Sequence, residues 1–109
     1  MSVNKILVVL ATVLAVGLPS LARAVEIGDV NSGKSFAATN CAECHAIEGK
    51  NAISPNPDAP SFYAVSAMPS TTRMSLEVWM KSTHPTMPNL ILSAEEIDNV
   101  VAYILSLNN

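Results

Sequence analysis

Charge is scarce in this chain: 14% of its 109 residues are Asp, Glu, Lys or Arg, and the formal net charge is −3. A nucleic-acid binder needs a cationic face to meet phosphates, and six Lys and Arg against nine Asp and Glu do not supply one. Cysteine occurs only twice, at Cys41 and Cys44. A bridge between them would close a loop too short to constrain the unfolded chain, so disulfides do not staple this fold. Histidine also occurs only twice, at His45 and His84, which leaves no nucleophile–base set for a protein-only hydrolase. Long apolar runs are limited to one, Ile6 to Leu18, shorter than the about 20 residues that span a bilayer. Internal repeats, alternating strand patterns and low-complexity stretches are missing too. Intrinsic disorder is excluded by composition, because half of the residues are hydrophobic.

What is present begins with residues 1–24. Lys5 supplies a short basic start, the apolar run follows, and Ala22-Arg23-Ala24 places small residues at the −3 and −1 positions of a cleavage site. That layout predicts a secretory signal peptide cut after Ala24. The alternative is an uncleaved membrane anchor, against which Pro19 and the small-residue site argue. Residues 25–109 then form the mature domain. Without Lys5 and Arg23, four basic residues face nine acidic ones, and the net charge becomes −5. A core this small buries little surface, and five aromatic rings (Phe36, Phe62, Tyr63, Trp79, Tyr103) do not fill it. Something must supplement it.

Cys41-Ala42-Glu43-Cys44-His45 identifies the supplement. C-x-x-C-H is the attachment signal for c-type haem. Two thiols add across vinyl groups on neighbouring haem edges, so they must share one side of a helical turn, which positions i and i+3 do. His45 then faces the iron as the proximal ligand. Export agrees with this reading, because c-type haem is attached outside the cytoplasmic membrane. Two other readings use the same cysteines. A thioredoxin-like pair needs a buried strand before Cys41, and none is legible. A zinc site would need Cys41, Cys44 and both histidines, and His45 directly beside Cys44 suits that chelate poorly.

The remaining chain reads as all-α. Asn31 or Ser32 can cap a helix running towards Cys44, with Gly33, Phe36, Ala37 and Asn40 on one face. Gly33 either permits close approach by another helix or is a fraying first-turn glycine. Residues 49–60, with Pro55, Pro57 and Pro60, form a loop. A second helix is expected over 71–83, with Leu76, Trp79, Met80 and Thr83 as its apolar row and Met74, Val78 and Lys81 as another. The last helix is the clearest. Ser93-Ala-Glu-Glu96 is a capping box, and Ile97, Val100, Val101, Ile104 and Leu107 form a 3.6-period stripe flanked by Tyr103.

One axial position remains after His45. Its candidates are Met68, Met74, Met80, His84 and Met87. Met74 and Met80 fall within the second helix, where methionine usually fills core. Met87 lies between Pro85 and Pro88, and Pro88 forces it into an extended conformation on a stiffened loop. Met87 is the expected ligand. His84 and an ordinary buried loop methionine stay as alternatives.

With these residues in order, the chain resembles the class I c-type cytochromes, small monohaem carriers. Gly33-x-x-Phe36 precedes Cys41-x-x-Cys44-His45, Met87-Pro88-x-Leu90 follows, and a C-terminal helix carries Tyr103. The resemblance covers nearly all of residues 25–109 as one cytochrome c domain. It implies a cytochrome c-like fold of three to four helices wrapped around one covalently attached haem c. It also implies thioether bonds at Cys41 and Cys44, His45/Met87 axial ligation, and packing of the Gly33/Phe36 helix across the Tyr103 helix. The family commonly has Gly-Pro-x-Leu after the haem motif, its proline carbonyl accepting a hydrogen bond from the proximal histidine. Ala59-Pro60-Ser61-Phe62 stands at that place here, and Pro60 still offers its carbonyl.

The function implied is one-electron transfer rather than enzymatic turnover, with no small-molecule substrate at the iron. Donor and acceptor would be periplasmic or membrane redox proteins, such as a dehydrogenase or reductase and a terminal acceptor. Two alternatives share these features: a haem-bearing subunit of a larger periplasmic oxidoreductase, and a haem sensor with a labile Met87.

Overall fold

A computed structural model describes residues 26–82 and 87–109. The expected signal peptide, with cleavage after Ala24, lies outside the described residues, as do His84 and Pro85. Four helices follow one another, α1 (Val30–Asn40), α2 (Phe62–Ala67), α3 (Arg73–Lys81) and α4 (Ala94–Ser106). None of them is long and apolar enough to cross a membrane.

The fold is organised around α4. Its capping box forms as the sequence implies: Ser93 Oγ accepts from Glu96 N at 3.2 Å, and the Glu96 carboxylate accepts from Ser93 N at 2.7 Å. Ile97, Val100, Val101 and Ile104 are buried, and Leu107 caps the helix while packing on the core. Tyr103 does more than flank the stripe. It is 4% exposed and belongs to the core, where its hydroxyl donates to Ile47 O at 2.8 Å. Helices α1, α2 and α3 each pack on α4 and not on one another among the described residues. That arrangement leaves open the space they surround.

Helix α1 begins earlier than the expected Asn31 or Ser32 cap. Asp29 is the N-cap, accepting from Ser32 N at 2.6 Å. The reason is tertiary: Asp29 N donates to Asn99 Oδ1 on α4, which anchors the chain two residues before Asn31. Ser32's amide also holds the Asp29 carboxyl below its ordinary pKa. Gly33 and Ala37 are the buried positions of α1. A Cβ on Gly33 would stand 1.9 Å from Asn99 O, so this glycine lets α1 and α4 touch backbone to backbone.

Helix α2 is absent from the sequence reading. Its six residues carry too little periodicity to register, although Ser61 caps it and Phe62 and Ser66 are buried at i and i+4. It stops at Met68, which Pro69 holds extended at ψ 131. Helix α3 is shorter than the expected 71–83. Thr72 and Ser75 form a capping box at its start, and Ser82 Oγ donates to Val78 O at 2.6 Å at its end. Leu76 is buried, but Trp79 is 56% exposed.

Candidate cofactor site

The end of α1 shapes the site. Cys41 N donates to Ala37 O at 2.8 Å and closes the helix. Tight turns then carry the chain through the motif, with Cys44 N and His45 N both donating to Cys41 O at 3.2 and 2.9 Å. Both cysteines are free thiols, half-buried in the turn. Burial pushes the Cys41 thiol above its ordinary pKa.

The proline-rich loop is fastened to this turn at successive points. Asn56 N donates to Cys44 O at 3.1 Å, Ala46 N to Ser54 Oγ at 3.0 Å, and Phe62 N to Ala46 O at 2.9 Å. Within that frame His45 Nδ1 lies 2.7 Å from Pro60 O. A carbonyl only accepts, so Nδ1 carries a proton, and in the neutral ring Nε2 is the nitrogen with the lone pair. The Phe62 ring packs 5.4 Å from the imidazole and 6.4 Å from Tyr103, fixing the ring plane from the core side. Ala59 needs no glycine-like backbone, since no non-glycine residue has positive φ among the described residues.

Cys41, Cys44, His45 and Pro60 line a cavity of about 490 Å³, within the roughly 300–1,000 Å³ typical of cofactor sites. Phe62, Leu76, Trp79, Met80 and Ile104 supply apolar wall, and Met87, Pro88 and Leu90 line it as well. Of the candidate thioethers, Met68, Met80 and Met87 line the cavity. Met74 is 75% exposed and is not among its lining residues. Glu43 and Asp58 are the two carboxylates in the lining.

The donor set is two thiols, one imidazole with a directed lone pair, and soft thioethers, which fits haem c. It does not fit the other readings. A helix, not a strand, precedes Cys41. Among the described residues no group of three His, Cys, Asp or Glu is placed to hold a metal ion, and His84, the second histidine of the zinc reading, lies outside them. Sequence reasoning did not assign Phe62, Trp79 or Ser54 to the site. Phe62 could have been read from its place after Pro60, whereas Ser54 carries no signal until the loop folds back.

Residues 30–108 match the family model for Cytochrome c. The chain belongs to the cytochrome c family. It is 31% identical over 94 residues to Cytochrome c-552 of Bradyrhizobium diazoefficiens, covering 86% of this chain and 89% of that one. No solved structure matches it significantly. The chain is thus a class I c-type cytochrome with an all-α cytochrome c fold, an electron-transfer protein whose cofactor is haem c. Cys41 and Cys44 fit the family's C-x-x-C-H binding pattern.

Proposed function

We propose that this cytochrome is an exported carrier with one haem c held between His45 and Met87, passing single electrons between a dehydrogenase or reductase and a terminal acceptor. The observation that carries the reading is the 2.7 Å contact of His45 Nδ1 with Pro60 O, in a cavity that Met87 also lines. Haem iron supplies the one-electron couple when bound. Cys41 and Cys44 would hold it covalently through thioether bonds. His45 would offer Nε2 to the iron, with the Pro60 carbonyl fixing its tautomer and ring orientation. Met87 would close the other axial position, and a soft thioether there raises the potential relative to a second imidazole. Both axial positions would then be protein side chains, which leaves no place for a substrate.

Export rests on the signal-like layout of residues 1–24. The partner should be basic. Glu43 and Asp58 line the cavity, and the mature chain carries nine acidic residues against four basic ones. Glu48 contributes less than its charge suggests, because Lys34 pairs with it. Ala42, Ala46, Met87 and Pro88 would form the contact around the haem edge. A second reading, a subunit of a larger periplasmic oxidoreductase, is favoured by Met74 and Val78, 75% and 59% exposed on one short helix.

Optical spectra test the proposal. The reduced protein should show a c-type haem spectrum resistant to acid–acetone extraction. The oxidised protein should show the weak red charge-transfer band of methionine ligation, and Met87→Ala should remove it and lower the potential. Loss of the band in Met80→Ala or His84→Ala, with Met87→Ala unaffected, would refute the ligand assignment. Rapid carbon monoxide binding by the unmodified reduced protein would favour the sensor over the carrier.

A further inference from the structure

Arg73 stands at the first position of α3, where the helix dipole disfavours a cation. No acidic residue shares that first turn. Lys34, Lys50 and Lys81 are exposed, so Arg73 is the one cation drawn into the fold among the described residues. Its Nη2 donates to Ile27 O at 2.6 Å, on the segment leading into α1. Its Nη1 is shielded from solvent but makes no hydrogen bond; Glu77 Oε1 and Asp98 Oδ1 each lie 3.7 Å away, at ion-pair range. One guanidinium thus joins three elements: the entry segment, α3 and α4.

The place where it grips α4 is also where the other side of the cavity is anchored. Gly28, at φ +91, is pressed against the Asp98 backbone, and Asp29 N donates to Asn99 Oδ1. Gly33 brings α1 onto Asn99 O. The turn Asp98–Asn99 therefore holds α1, which ends in the Cys41–His45 motif, and through Arg73 it holds α3. Helix α3 lines the cavity with Ser75, Leu76, Trp79 and Met80, and after it the described chain resumes at Met87. Since α1 and α3 do not pack on each other, α4 is the common reference for the two sides.

We infer that Arg73 is a positioning residue: by fastening α3 to α4 it sets how firmly Met87 stays on the iron. The inference rests on the His45/Met87 reading above. A planar fork suits the role, because one nitrogen donates to a carbonyl while the other stands at ion-pair range of two carboxylates, as a single ammonium cannot.

The test uses the haem-loaded protein and carbon monoxide as probe. An external ligand enters the reduced protein only when Met87 is off, so its binding rate reports the open population. Arg73→Leu should raise that rate about tenfold or more and lower the reduction potential. Arg73→Lys should fall between it and the unmodified protein, and Lys34→Leu, which breaks only an exposed pair, should change neither reading. An Arg73→Leu protein that melts earlier, yet keeps the original rate and potential, would show a merely structural residue and overturn the proposal. Met87→Ala is measured alongside. If it keeps the red charge-transfer band, the ligand reading fails and this inference with it; if it loses the band while Arg73→Leu matches the unmodified protein, only the Arg73 inference fails. Should Arg73→Leu not accumulate with haem, Arg73→Lys and Asp98→Asn decide by the same two readings.

Discussion

Gly33→Ala probes the contact on which the helix arrangement depends. The added methyl would lie 1.9 Å from Asn99 O, 2.5 Å from Asn99 C and 2.9 Å from Tyr103 Cβ. Carbon and carbonyl oxygen in ordinary contact sit about 3.3–3.6 Å apart, so α1 and α4 must separate by more than about 1 Å. Neither neighbour yields easily, since Asn99 O is helix backbone and Tyr103 is 4% exposed. Overpacking of this kind costs about 1–3 kcal/mol, and separation also loosens Ala37 and Val100, both fully buried, which puts the cost at the upper end. Alanine returns about 1 kcal/mol through its helix propensity. The net loss is about 2 kcal/mol, and at roughly 4–8 °C per kcal/mol the melting temperature should fall by about 10 °C. Thermal unfolding of the haem-loaded protein, followed by far-ultraviolet circular dichroism, measures it. Gly49→Ala is the comparison. Gly49 has φ +88, but its added methyl would meet only Ala52 Cβ at 3.3 Å, so the cost is about 1–2 kcal/mol of backbone strain. Gly33→Ala melting at or above the unmodified protein would refute the close-packing account.

Ser93→Ala removes the oxygen that accepts from Glu96 N and should cost about 1 kcal/mol in chemical denaturation, with no change in the haem spectrum. Tyr103→Phe strips Ile47 O of its donor and should cost about 1–3 kcal/mol. Burial raises the Tyr103 phenol above its ordinary pKa in the folded state. Stability from this group is therefore complete below the ordinary tyrosine value of about 10 and declines as pH rises through the raised one. Denaturation curves across that range should show a decline that Tyr103→Phe lacks. Electron transfer to a basic partner should slow with added salt, because screening shortens the Debye length to about 8 Å at physiological strength. A stopped-flow rate that stays flat or increases with salt would leave the acidic residues no steering role.

Where local chemistry decides, residue types alone were enough. C-x-x-C-H is set by the spacing of two thiols and an imidazole on one turn, so it reads directly. The Ser93/Glu96 box and the stripe from Ile97 to Ile104 read directly as well, because capping and 3.6-residue periodicity are properties of neighbours in sequence. Met87 drew notice through its prolines, although Met68 and Met80 line the same cavity and only the fold reveals that. Other features needed contacts between distant residues. Asp29 displaced Asn31 and Ser32 as the α1 cap because Asn99, seventy positions away, holds its amide. Gly33 could be a close-approach or a fraying residue until Asn99 O lay against it. Helix α2 is too short to show a period and is held by burial of Phe62 and Ser66. Tyr103 moved from the flank of its helix into the core because Ile47 O awaits its hydroxyl there. Arg73 offers nothing in sequence beyond a cation at the wrong end of a helix. Its role emerges only where Ile27, Glu77 and Asp98 converge, since shielding a charge requires partners that the chain supplies from three separate elements.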